Sequence, residues 1–592
     1  MPDSLPGMRW DVDVDPAPPA PSDRQLVVIM TPEAAASLDA DATGANVPEL
    51  SAVLAENQLQ LEPLFSGLAA RADLSAAAAD QDAPDLSVFY QVQVGQDRLD
   101  ELAAQLRQLP QVDAAYVKPG AEPASLDVSR DVFELPASSD FGGRQGYLNA
   151  PPEGVGTAWS RAQAGGDGSG VRIIDVEGAW NFAHEDLAQN VDGVLVGAAT
   201  NDLGWRNHGT AVIGEIGADD NGFGVVGIAP AAVVGGASIF PGTGSANAIR
   251  QAADLLGAGD IMLIELHQPG PRFQFQSRPD QAGYIAMEWW PDDLAALQYA
   301  RARGIVVVEA AGNGAENLDD PLYDSPAPGF PATWRNPFNT ANANSGAVMV
   351  GAGAPPPGTH GRDHGPDRSR LNFSNHGLRL DAQGWGREVT TTGGRSSQPG
   401  DLQGGAENVW YTDTFSGTSS ASPIVVGALA AVQGILRARG LPSMTPARAV
   451  EVLRATGSAQ QDAPGRPASQ RIGNRPDIEA AVAYLSPAVP LVVPNFGYTA
   501  GGWRVDKHPR FLADTTGDGR ADIIGFGEAG AYRSLAQADG TFGPVELVVP
   551  NFGYTAGGWR VDKHPRFLAD TTGDGRADII GFGEAGVYLS VS

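Results

Sequence analysis

Between Val171 and Ala430, short apolar runs rich in β-branched residues alternate with longer stretches whose apolar residues recur at helical spacing. That alternation predicts an α/β domain with a parallel central sheet and helices on both faces. VRIID, ending at Asp175, and VVVEA, shortly before Asn313, read as buried strands. The run after Ser419 predicts a helix from about Ser420 to Arg439, with Pro423 tolerated in its first turn. Residues 25–119 follow another rhythm. QLVVIM, VFYQVQV and VDAAYVKP read as strands, and TPEAAASL, VPELSAVLAENQ and QDRLDELAAQLRQL as helices, which predicts a small α+β domain. Residues 120–150 are a polar, turn-rich linker, and residues 1–24 are expected to be disordered. Farther on, residues 491–534 recur almost letter for letter at 547–590, a period of 56 residues. One such unit cannot bury its own apolar face, so 487–592 is expected to be an all-β repeat module of propeller or solenoid type, following a main domain at 151–486.

Three segments carry chemistry: Asp175 in VRIIDVEGAW, His208 in NHGTAVIGEIGA and Ser419 in FSGTSSASPIVVGAL, each at the edge of an apolar run. A serine hydroxyl becomes a nucleophile when an imidazole within hydrogen-bond reach takes its proton, and a carboxylate fixes the imidazole tautomer. Asp175 falls at the C-terminal end of its strand, where open α/β sheets place their sites. Ser419 opens a helix whose first amides favour negative charge. Asn313, in VVVEAAGNG, could donate its side-chain amide to an oxyanion, a contact typically worth ~3 kcal/mol in the transition state. Singly, these segments are ordinary turns and caps. Together they indicate an enzyme.

On those residues the chain resembles the subtilisin-like serine proteases, or subtilases, from about Gly154 to Leu485, including NGFGVVGIAP and LNFSNHG. The resemblance implies a subtilisin-like α/β fold and an endopeptidase that hydrolyses protein or peptide substrates through an acyl-enzyme. Asp175, His208 and Ser419 would form its triad and Asn313 would bind its oxyanion. It further implies that 25–119 is a propeptide, removed by a cut within 120–150, and that the protein is extracellular. A structural Ca²⁺ would be held by Asp186 in HEDL and Asn221 in DDNGFGVVG, both of which offer hard oxygens.

Departures from the family pattern bear on substrate choice. Glu265, Leu266 and His267 stand where Ser-Leu-Gly is usual on the strand lining the substrate groove, and histidine in place of glycine adds bulk there. Glu309 lies four residues before Asn313, where a small residue is common. If Glu265 and Glu309 flank one pocket, they favour a basic side chain before the cleaved bond or share a proton; otherwise they pair with arginine or backbone amides. Ser420 occupies a position where many subtilases carry methionine, so tolerance to peroxide is expected. The alternative reading is a silent binding protein, its groove blocked by Glu265 and His267 and its repeats the working part.

Composition narrows the partners. The chain has 592 residues, 39 basic and 70 acidic, for a net charge of −31, and no basic cluster, which argues against nucleic acid. It has no cysteine, hence neither disulfides nor thiolate chemistry. The opening MPDSLPGMRWDVDVDPAPPAPSD shows no secretory signal pattern, and no run approaches the ~18 apolar residues of a membrane span.

Each repeat contains DTTGDGRAD, with Asp514, Asp518 and Asp522 in the first copy and Asp570, Asp574 and Asp578 in the second. Carboxylates spaced around a glycine turn suit Ca²⁺. The copies resemble FG-GAP-type propeller repeats, including those of some sugar-binding lectins. That implies a glycan or surface ligand, with Trp503 and Trp559 either stacking surfaces or blade core. Two copies do not close a propeller, so the array is expected to pack on the protease, pair with another molecule or keep exposed edges.

Overall fold

The computed structural model describes residues 22–40, 47–57, 59–65, 84–124, 138–486 and 491–592, in two units divided between residues 486 and 487. The expectation of disorder for 1–24 therefore falls outside the described residues except at Ser22–Arg24, and residues 125–137 of the linker fall outside them too.

In chain order the strands of the first unit are β1 (Gln25–Met30), β2 (Leu61–Pro63), β3 (Phe89–Val92), β4 (Val112–Lys118), β5 (Glu122–Pro123), β6 (Arg172–Glu177), β7 (Val191–Val196), β8 (Val233–Ser238), β9 (Ile261–Ile264), β10 (Leu266–Pro269), β11 (Tyr284–Ala286), β12 (Val306–Ala310), β13 (Val348–Gly353), β14 (Ala382–Trp385), β15 (Val389–Thr392) and β16 (Tyr411–Phe415). A seven-stranded sheet runs in the order β14-β13-β12-β9-β6-β8-β7 with every neighbour parallel. Strands covered on both faces are buried along their whole length, as β9, β12 and β13 are, and Glu309 is the one charged residue in the three. Helices Leu203–Gly217 and Thr418–Ala438 cover one face, and Ser245–Leu255 and Pro291–Ala302 the other. Helix Thr418–Ala438 is long and apolar enough to cross a membrane, but it is wholly buried in this core. It begins two residues earlier than its sequence suggests, so Pro423 lies within the helix rather than at its opening.

The α+β pattern read in 25–119 is present, with the short β2 added. β2-β3-β1-β4 form an antiparallel sheet with helices packed on one face. The other face, through Val27, Ile29 and Tyr116, joins the core beneath Ser245–Leu255 and Pro291–Ala302. At that junction the Tyr116 hydroxyl donates to Asp292 Oδ1 (2.9 Å), and the buried Lys118 ammonium pairs with Asp292 and Asp293 and reaches Ser245 Oγ at 3.1 Å. Both aspartates occupy the first turn of their helix, where its dipole favours negative charge. β5 then leaves this sheet and joins β10 and β11 in a separate antiparallel ribbon ordered β11-β10-β5.

The second unit is all antiparallel β: β17 (Arg510–Ala513), β18 (Asp522–Phe526), β19 (Ala531–Ser534) and β20 (Glu546–Val549) form one sheet, and β21 (Arg566–Ala569), β22 (Asp578–Gly583) and β23 (Gly586–Ser590) another. Trp503 and Trp559 are buried in it, their indole N–H groups donating to Asn495 Oδ1 (2.9 Å) and Asn551 Oδ1 (3.0 Å). They are core residues and not stacking surfaces.

Candidate active site

β6 carries both Asp175 and Glu177, two residues apart and so on one face of the strand. The carboxylate that meets His208 Nδ1 is that of Glu177. Asp175 instead accepts the Trp180 indole N–H at 2.8 Å and feels Glu177 and His208 through space. The structure thus corrects the assignment of the imidazole partner from Asp175 to Glu177. The glycine after the histidine explains how the longer side chain fits. A Cβ at Gly209 would lie 1.9 Å from Glu177 Oε1 and 2.3 Å from the Ala179 carbonyl, so only glycine lets helix Leu203–Gly217 approach this closely. Burial pushes both carboxyls well above the usual carboxylate range, and at Asp175 the Glu177 charge adds to it.

Ser419 sits in the first turn of helix Thr418–Ala438, after Gly417 at φ 114°, a left-handed conformation that favours glycine. That helix packs against the His208 helix, and the His208 ring lies edge-on to Phe415 at 5.5 Å. Asn313 Oδ1 accepts the Thr418 N–H (2.9 Å) and hydroxyl (3.1 Å), which fixes the amide beside Ser419. One Nδ2 hydrogen goes to Gln281 Oε1 at 3.1 Å, leaving a second N–H on that nitrogen.

A segment of the chain itself fills the groove. β5 pairs with β10, Pro123 opposite Leu266 and Glu122 opposite His267. The Ala124 carbonyl accepts the Ser419 backbone N–H at 3.3 Å, and the Pro123 carbonyl accepts Gln281 Nε2 at 3.1 Å. Glu122 Oε1 accepts from Ser277 Oγ and the Tyr284 hydroxyl, both at 2.8 Å. Sequence reading missed Glu177, Gln281 and the seating of Glu122–Ala124. Only the first left a local signal, the two-residue spacing from Asp175.

The departures from the family pattern have structural explanations. His267 does not prevent strand pairing, since β10 pairs with β5 through it. Its ring packs on Tyr284 at 4.6 Å between centroids, Nδ1 accepts the Asn313 N–H at 3.3 Å, and burial lowers its pKa to about 3. Glu265 and Glu309 do not flank a common pocket. Glu265 Oε1 lies 2.5 Å from Ser422 Oγ, close to Ser419, while Glu309 accepts the Glu288 N–H at 2.9 Å near Arg379. Burial, then the Asp175 charge, pushes the Glu265 carboxyl well up. Ser422 Oγ also lies 2.7 Å from the Thr418 carbonyl, so its single proton is offered to both Glu265 Oε1 and that carbonyl. The expectation of a basic-selective pocket loses its basis.

The proposed calcium donors are each engaged by hydrogen bonds or an ion pair within the protein. Asp186 Oδ1 accepts from Asn221 Nδ2 and Oδ2 from the Val225 N–H, each at 2.8 Å, and burial lifts the carboxyl to about 7. Asp514 accepts the amides of Thr516, Gly517 and Gly519 at 3.0, 2.8 and 2.7 Å, and these pull it down to about 2, Gly519 most strongly. Asp518 pairs with Arg520, and Asp522 accepts from Thr515 and from the Ala536 N–H. In the second copy Asp570 accepts Gly573 and Gly575 amides, Asp574 the Arg576 amide and Asp578 those of Thr571 and Ser592. Asp514, Asp518, Asp570 and Asp574 thus accept amides of their own turns. Among the described residues no group of three or more histidine or acidic side chains is placed to hold a metal ion.

The Subtilase family (Peptidase_S8) matches residues 80–473. Alkaline elastase YaB of Bacillus sp. (strain YaB) is 30% identical over 268 residues, 45% of this chain and 55% of that protein. The chain spans between about half and two thirds of the length of the curated relatives it matches. Among solved structures, fervidolysin from Fervidobacterium pennivorans, a keratinolytic enzyme related to subtilisin, is 16% identical, covering 95% of this chain and 71% of its own with a TM-score of 0.46. An Agrocybe aegerita lectin with specific recognition of non-reducing terminal N-acetylglucosamine is 55% identical over 17% of this chain and 25% of its own, with a TM-score of 0.17.

Proposed function

Because this chain belongs to the subtilase family, we propose that it is a serine endopeptidase made as a zymogen, with Ser419 as nucleophile, His208 as base and Glu177 as the carboxylate that holds the imidazole. Ser419 Oγ attacks the scissile carbonyl carbon as its proton passes to His208 Nε2. The oxyanion is met by the Ser419 N–H and the remaining Asn313 Nδ2 hydrogen. Collapse expels the amine with the proton returned from the imidazolium, and water then repeats the sequence on the acyl-enzyme. Protein or peptide chains are the substrates.

One observation carries this reading: the Ala124 carbonyl accepts the Ser419 N–H while Glu122–Pro123 pair with β10 as a substrate strand would. Residues 25–124 are accordingly the prosegment, and the first cut falls between Ala124 and Ser125. Wild-type protein should yield a mature chain whose N-terminal residue is Ser125 and should label with a fluorophosphonate. Ser419→Ala should remain full length and unlabelled. A wild-type chain that neither shortens nor labels would overturn the proposal. The second unit serves as a tether, and glycan is its candidate ligand. A glycan array probed with the wild-type protein tests it, and no signal would remove the glycan.

A further inference from the structure

The two copies in the second unit meet through an interface that uses different surfaces of each. The first copy contributes its trailing side. β19 pairs with β20, Ala531 opposite Val549 and Tyr532 opposite Leu547. The Gly527 carbonyl accepts the Tyr554 N–H at 2.9 Å, and the Glu528 carbonyl accepts those of Thr555 (3.0 Å) and Ala556 (2.9 Å). The Asp514 carbonyl accepts the Ala577 N–H at 2.7 Å, and Phe526 lies between Phe552 and the Arg566 guanidinium. The second copy contributes its leading side: Leu547–Val549, Phe552, Tyr554–Ala556 and Arg566.

Both halves of this interface occur a second time. The leading side of the first copy, Leu491–Val493, Phe496, Tyr498–Ala500 and Arg510, is identical in sequence to the leading side of the second. The trailing side of the second copy, Phe582–Glu584 and β23, repeats that of the first with changes only at Val587 and Leu589. Neither is matched among the described residues. Phe582 is 44% exposed where its equivalent Phe526 is fully buried, Val587 is 63% exposed where Ala531 is fully buried, and Leu491 is 79% exposed. β23 therefore presents an open edge lined with apolar side chains, and Leu491–Val493 repeats the LVV of β20 that pairs with such an edge.

We propose that the occupant of each surface is a second copy of this chain, joined head to tail. Leu491–Val493 of one molecule adds as a strand to β23 of the next, in the register β20 takes on β19, with Leu491 opposite Tyr588 and Val493 opposite Val587. The amides of Tyr498, Thr499 and Ala500 meet the Gly583 and Glu584 carbonyls. The contact is heterologous, so repetition of one rotation closes a ring. Propellers hold four to eight blades, and the two described repeats supply two of them.

A 592-residue Ser419→Ala chain, which does not cut its prosegment, should show by light scattering at micromolar concentration a mass at least twice 61.4 kDa. Leu491→Asp spoils only the leading surface and Phe582→Glu only the trailing one, and both positions are already exposed in a single chain. Each variant alone should be monomeric, with a thermal melt like that of the parent. Mixed in equal amounts they should form a dimer and nothing larger, because one good head then meets one good tail. A monomeric parent, a variant that still assembles alone, or a mixture that stays monomeric would each overturn the proposal.

Discussion

At the scale of single residues, the contact between His208 Nδ1 and Glu177 decides which acid matters. Glu177→Gln leaves the shape but presents the wrong partner to the imidazole, and should lower kcat/KM for a peptide substrate by about 10³–10⁴. Asp175→Asn should cost less than about tenfold, since its oxygen holds Trp180 and not the imidazole. Comparable losses in the two variants would return the role to Asp175. Asp175 could be found in the sequence because an acid closing an apolar strand is a visible pattern. Glu177 could not be preferred over it. Both point to the same face of β6, and what selects between them is how near helix Leu203–Gly217 comes, a distance set by the missing Cβ at Gly209.

At the scale of elements, the ribbon β11-β10-β5 sets what the groove accepts. Glu122 Oε1 has two hydroxyl donors, its Oε2 is buried without a hydrogen-bond partner among the described residues, and burial raises its pKa. The pocket therefore suits a neutral hydrogen-bonding side chain three residues before the cut. Among peptides Ala-Xaa-Pro-Ala-Ser at pH 8, hydrolysis should be faster for glutamine than for lysine by about tenfold or more, an energy difference of ~1.4 kcal/mol. Glutamate should gain on glutamine as pH falls, because the bound carboxyl holds its proton more tightly than the free one. Equal rates for glutamine and lysine would dismiss the pocket. Docking of the N-terminal sheet follows the same sign. Burial lifts Asp293 to about 7, against the pull of Lys118. With a docked pKa above the free value, the stabilisation is complete below about pH 4 and is lost as pH rises through about 7. Once cut, the prosegment should leave faster at pH 8 than at pH 5 on gel filtration, and a rate independent of pH would contradict this. Lys118→Met would strand two buried aspartates and should cost roughly 3–5 kcal/mol of docking.

At the scale of the whole molecule, stability is expected to owe nothing to calcium at the aspartate turns. Melting with chelator or with excess Ca²⁺ should agree within about 1 °C, because an ion that binds only the folded state would raise the midpoint. A calcium-dependent rise would put the ion back in those loops. The sequence by itself determined the α/β sheet, the order and spacing of the histidine and serine, the small N-terminal α+β domain and the duplication. Each of these is written in local apolar rhythm or literal repetition, which needs no partner to be read. Tertiary structure alone decided that Glu177 meets His208, that Glu122–Ala124 occupy the groove, that Glu265 and Glu309 lie apart, and that Trp503 and Trp559 are core. Those facts depend on contacts between segments far apart in the chain, such as Ala124 with Ser419, and no run of neighbouring residues encodes the distance between them. The aspartate turns mark the boundary between the two kinds of knowledge. Their spacing suits either a cation or the loop's own amides, and folding decides which donor comes first.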